Sequence, residues 1–110
     1  MQLINYDSGR LKCSVSGEID HHSAKRIREE VDRRIKEYTP TEVVMDLSGV
    51  TFMDSSGLGL VLGRYTFCKS ADIAFSVTGA DRRIMKIFEL AGLTRIVSIE
   101  RDGKKRRGRV

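Results

Sequence analysis

Residues 42–70, EVVMDLSGVTFMDSSGLGLVLGRYTFCKS, constrain the fold more than any other stretch, because the period of the apolar pattern changes inside them. The unbroken run Val43-Val44-Met45 leads through Asp46 to Leu47, which reads as a strand buried on both faces. A turn region at Ser48-Gly49 and a short apolar step, Val50-Thr51-Phe52-Met53, lead to the tetrad Asp54-Ser55-Ser56-Gly57. Beyond the tetrad, Leu58, Val61, Leu62, Tyr65 and Cys68 recur at helical spacing. The serine pair therefore falls where a loop after a central strand enters a helix. Unpaired N–H groups at a helix start favour a capping oxygen or a phosphate, which makes the serines the candidate site.

The rest of the chain supplies partners for that strand and helix. Residues 2–6 form a short edge strand, and a turn at Asp7-Ser8-Gly9 sends the chain back through Leu11, Cys13 and Val15, which alternate with Lys12, Ser14 and Ser16. This second strand ends at Gly17-Glu18-Ile19-Asp20. A helix follows His21-His22-Ser23, with Ser23 or Asp20 as its N-cap, an inner stripe of Ala24, Ile27, Val31, Ile35 and Tyr38, and a stop at Pro40. After the serine-led helix, Ile73, Phe75 and Val77 alternate as a strand and Thr78-Gly79-Ala80-Asp81 makes a connection. Asp81 caps a helix whose inner positions are Ile84, Ile87, Phe88 and Ala91. Gly92 ends it, and a last strand covers 95–99.

The order β-β-α-β-α-β-α-β predicts an α/β domain with a mixed sheet. The strands joined by helices are parallel, with right-handed crossovers, and the first hairpin leaves one antiparallel edge.

At 110 residues, 40% apolar and 32% charged, the chain is one domain with a modest core. No apolar run approaches a membrane span, and the opening MQLINYDSGR lacks the build of a signal peptide, so a cytoplasmic protein is expected. Cys13 and Cys68 read as free core thiols. Six of the 20 Lys/Arg and one of the 15 Asp/Glu lie in 101–110, leaving 14 of each before them. The net charge of +5 therefore belongs to the tail, and the body, residues 1–100, is neutral. Lys104, Lys105, Arg106, Arg107 and Arg109 lack aromatic interleaving, so the tail reads as a solvated, disordered segment rather than a nucleic-acid site.

Catalysis is not expected. Gly57-Leu58-Gly59 has no lysine at the spacing of a phosphate-binding loop, and no neighbour in sequence orients His21 or His22 as a base for a serine nucleophile. Adjacent histidines diverge in an extended loop, with no Cys or carboxylate at ligand spacing, so neither a metal nor a cofactor is expected. Gly57, Gly59 and Gly63 are expected to let the helix pack closely on the sheet.

On residue chemistry alone, Asp54-Ser55-Ser56-Gly57 is a loop-to-helix cap. The alternative is a modification site. Loops after parallel strands gather at one sheet edge, so Glu18, Asp20 and Asp54 are expected to approach one another. Phosphorylating Ser55 or Ser56 would add about −1.5 to −2 charges to that acidic edge and repel a docked partner without unfolding the domain.

Three segments carry a family resemblance: GEIDHH (17–22), VVMDLSGVTFMDSSGLGLVLGRY (43–65) and RRIMKIFELAGLTRIV (82–97). In this order they resemble the STAS-domain anti-sigma factor antagonists, with FMDSSGLG and EIDHH pointing to the branch that serves the sporulation sigma F system. The resemblance runs from about residue 2 to Glu100. It implies a mixed sheet with helices on one side, in a protein that is monomeric when free. It also implies an ATP-binding anti-sigma factor that is itself a serine kinase. The unphosphorylated antagonist displaces the sigma factor from that kinase, phosphorylation inactivates the antagonist, and a PP2C-type phosphatase restores it. By motif alignment the modified residue is Ser55, with Ser56 its neighbour and cap. The implied docking edge comprises Glu18, Asp20, His21, His22, Asp54, Ser55, Ser56, Gly57 and Leu58, where Glu18 and Asp20 meet a basic residue of the kinase. The family ends in a further amphipathic helix, whereas DGKKRRGRV (102–110) has no apolar stripe. The alternative implied by the fold is a generic STAS interaction module of a stress-signalling complex or transporter.

Overall fold

The computed structural model describes residues 2–101. Strand β1 (Gln2–Asp7) turns into β2 (Arg10–Ile19), followed by helix α1 (His21–Tyr38), β3 (Glu42–Met53), α2 (Ser56–Ser70), β4 (Ala74–Ala80), α3 (Arg82–Leu90) and β5 (Ser98–Arg101). The strands lie side by side in chain order; β1 and β2 are antiparallel and every other pair is parallel. This is the mixed sheet with one antiparallel edge read from the strand–helix alternation. Arg101 closes β5, and the basic tail beyond it, 102–110, lies outside the described residues.

Each crossover steps the same way along the sheet, and right-handed connections then place all three helices on one face. A single buried cluster results. Leu11, Cys13 and Val15 of β2, Val43, Met45 and Leu47 of β3, and Val77 of β4 meet Ile27, Val31 and Ile35 of α1, Val61 and Cys68 of α2, and Phe88 of α3. Val44 is buried as well, but points to the opposite face, in register with Lys12 and Ser76, and stands outside that cluster. Cys13 and Cys68 are buried and unbonded; burial pushes their thiols up to about 12 and about 11. At neutral pH both are protonated and chemically quiet.

Local chemistry differs from the reading of the chain at several points. Ser48-Gly49 is not a turn. Strand β3 runs straight through it, and three steps of β3, from Asp46 to Gly49, oppose two steps of β2, from Ser14 to Ser16. A Cβ on Gly49 would lie 2.9 Å from that of Ser16, so glycine here serves a bulge. In the last crossover Gly92, at φ +78°, ends α3. Leu93 and Val97 then anchor in the core four residues apart and draw 93–95 into a 3₁₀ turn, so β5 starts at Ser98 rather than at 95. Thr78-Gly79-Ala80 belongs to β4 rather than to a connection.

The buried face of α2 is also rotated from the expected one. Leu60 and Arg64 are buried while Leu62 is exposed. Nearly every position of this helix is apolar or small, so its pattern alone could not choose a face.

Candidate functional site

Two helix starts meet at the end of the central strands. Ile19 pairs with Met53, and the Asp54 N–H donates to the Ile19 carbonyl at 3.1 Å, so the loops leaving β2 and β3 are tied together. Glu18, Asp20 and Asp54 therefore share one edge.

The first start is fully capped. Asp20 is the N-cap in extended conformation, and its Oδ1 accepts from the N–H groups of His22 at 3.0 Å and Ser23 at 2.9 Å. Ser23 Oγ accepts from the Asp20 N–H at 2.9 Å and donates to the Glu18 carbonyl at 2.8 Å. The two candidate caps thus act together as a capping box. The Ser23 amide, with smaller help from the His22 amide, holds the Asp20 carboxyl below its ordinary range. His21 and His22 are not in an extended loop. They form the first turn of α1, with rings edge-to-face at 5.6 Å.

The second start is capped by its acid and not by its serines. Asp54 Oδ1 accepts from the Ser56 N–H at 2.8 Å. Ser55 occupies the N-cap position in helical conformation, and its side chain makes no capping bond. Ser55 is exposed and Ser56 half-buried. The expected cap is therefore corrected: a carboxylate two residues ahead satisfies the amide, and the Ser55 hydroxyl is left facing water.

Gly57 holds this turn down. A Cβ there would lie 2.4 Å from Cγ and Sδ of Met53, so any larger residue would push the Met53 side chain out of its place between α2 and the end of β3. Gly59 and Gly63 differ, since a Cβ at either meets nothing within 4 Å. The expectation that all three bring the helix onto the sheet holds for Gly57 alone. Leu58 is half-buried beside the site.

Two features were not anticipated. Phe52 is 48% exposed and, with Arg83, Ile84 and Ile87, bounds the site on the α3 side. It lay hidden in what read as a purely apolar step. Arg64 of α2 is only 7% exposed, with Nε 2.9 Å from Asp32 Oδ1 of α1. Burial lowers its pKa, and the Asp32 carboxylate works against that shift. This pair ties α1 to α2. The signal was present as one arginine amid an apolar helix.

Among the described residues no group of three His, Cys, Asp or Glu could hold a metal ion, and no helix is long and apolar enough to cross a membrane. What the geometry provides is an exposed hydroxyl on a rigid acidic edge. The STAS domain family model matches residues 6–105.

The chain belongs to the STAS family.

Its relatives include the anti-sigma F factor antagonist of Paenibacillus polymyxa, 31% identical over 96 residues, which span 87% of this chain and 82% of that protein. The anti-sigma-B factor antagonist of Listeria monocytogenes is 30% identical over 101 residues, 91% of this chain and 87% of the relative. Among solved structures, the anti-sigma factor antagonist SpoIIAA in its unphosphorylated form superimposes with a TM-score of 0.78 at 25% identity, over 90% of this chain and 87% of that one. Its phosphorylated form gives 0.72 at 25% identity, over 90% of each chain. The fold of this STAS domain is thus one that accommodates a phosphorylated state in a relative.

Proposed function

We propose that this STAS domain is an anti-sigma factor antagonist of the cytoplasm, regulated by reversible phosphorylation of Ser55. The observation that carries the reading is the Ser55 hydroxyl, exposed, unused as a cap, and flanked by Asp54 and the Glu18–Asp20 edge. The names of its relatives and the two forms of SpoIIAA support the same reading. In this scheme Glu18 and Asp20 attract a basic residue of an ATP-binding anti-sigma factor, while His21, His22, Ser56, Gly57 and Leu58 complete the contact. The bound anti-sigma factor releases its sigma factor. Acting as a kinase, it then transfers a phosphoryl group to Ser55, and the new charge of about −1.5 to −2 lies against the nucleotide phosphates left in its site. Like charges separate the pair, and a PP2C-type phosphatase resets the domain.

Intact mass with site mapping tests this after the protein is mixed with its anti-sigma kinase and ATP. One phosphate on Ser55 is expected, with Ser55→Ala unmodified yet still bound to the kinase. No phosphate, from a kinase active on another substrate, would overturn the reading.

A further inference from the structure

The halves of α1 and α2 nearest the site enclose a groove of about 550 Å³, bounded by His21, Lys25 and Arg28 on α1 and by Ser56 and Gly59 on α2. Positions 21, 25 and 28 fall on one helical face, so their side chains look the same way. Lys25 and Arg28 form no ion pair among the described residues. Further along the same helix, Arg33 and Arg34 are both engaged by Glu30. Behind them Arg64 is buried and already faces Asp32, its Nη1 without a hydrogen-bond partner among the described residues. The seam between the two helices therefore carries an unbalanced positive charge. Gly59 keeps the groove open, because a side chain there would project into space that no atom occupies.

We propose that this groove is an oxyanion site that receives, in cis, the phosphoryl group carried by Ser55. The inference rests on Ser55 being the modified residue. Ser55 is one Cα step, about 3.8 Å, from Ser56 on the groove wall, and no capping bond restrains its side chain. A phosphoryl group on Ser55 stands between two fields. Glu18, Asp20 and Asp54 repel it on one side; His21, Lys25 and Arg28 attract it on the other. The dianion leaves the acidic edge and settles over the groove. Charge placed there stays where an approaching kinase meets it, yet is partly screened from the phosphatase, so the inactive state is lengthened.

The test installs phosphoserine at position 55 by genetic encoding, without any kinase, and follows the second phosphate ionisation by ³¹P NMR. Glu18, Asp20 and Asp54 raise that pKa, while His21, Lys25 and Arg28 lower it. The parent is expected to titrate at least about 0.5 unit below the Lys25→Ala/Arg28→Ala double variant, a modest share of what an opposite charge at contact produces. Gly59→Leu, which fills the groove, is expected to raise the pKa in the same direction while leaving the thermal melt intact. Equal titration of parent and double variant would overturn the inference. Because the phosphoserine is encoded rather than added by a kinase, this result stands apart from whether the kinase modifies Ser55.

Discussion

The first turns of α1 and α2 lie side by side on one edge of the sheet and solve the same problem differently. In α1 an acid and a serine three residues apart satisfy each other's backbone, and Ser23 Oγ is committed to two bonds. In α2 the acid stands two residues ahead of the amide it caps, and the serine between them, Ser55, has a side chain that caps nothing. One start holds a carboxylate rigidly at the rim. The other holds a hydroxyl that is positioned by its backbone but chemically available. A capping hydroxyl and a free one are built from the same residue types, and the spacing of acid to serine decides which is which.

The strongest break in this comparison is Gly57→Val. The added atoms collide with Met53, and overpacking of this kind costs about 1–3 kcal/mol, read as a lower urea midpoint at unchanged slope. Removing the α2 cap with Asp54→Ala is expected to cost about 1 kcal/mol by the same assay.

Asp20→Asn sharpens the contrast through pH. Asparagine still caps, so only the charge is lost. Because the folded carboxyl titrates below its unfolded value, its contribution is present above the ordinary carboxylate pKa and is lost as pH falls through the lower folded value. The stability gap between parent and variant is therefore expected at neutral pH and should close in acid, as followed by thermal melts across pH. The smallest effect is expected at the serine itself: Ser55→Ala should change stability by less than about 0.5 kcal/mol. A loss comparable to that of Asp54→Ala would show that the hydroxyl caps after all.

Much of this was legible in the chain. The alternation of Leu11, Cys13 and Val15, the stripe of Ile27, Val31 and Ile35, and the change of period after Gly57 all correspond to observed elements. The gathering of Glu18, Asp20 and Asp54 followed from topology, since parallel strands leave their following loops at one edge. The errors share a cause. Ser48-Gly49 looked like a turn because serine and glycine favour turns in isolation, but pairing with β2 held them in the ladder as a bulge. Leu62 looked like core because it is apolar and correctly spaced, but α2 is apolar or small nearly all round, and packing on the sheet and α1 turns Leu60 and Arg64 inward instead.

What the sequence alone determined is therefore periodic or chemical at short range: strand and helix identities, the parallel order, the caps of α1 and α3, and a serine pair at a helix entrance. Family membership follows from the same segments. The tertiary structure alone decided which hydroxyl is free, which glycine is required by contact, and that Lys25 and Arg28 flank a groove beside the site. Those outcomes depend on atoms brought together from α1, β3 and α2. A residue's own neighbours in the chain set its local preference, and only packing between distant segments decides which of its permitted partners it meets.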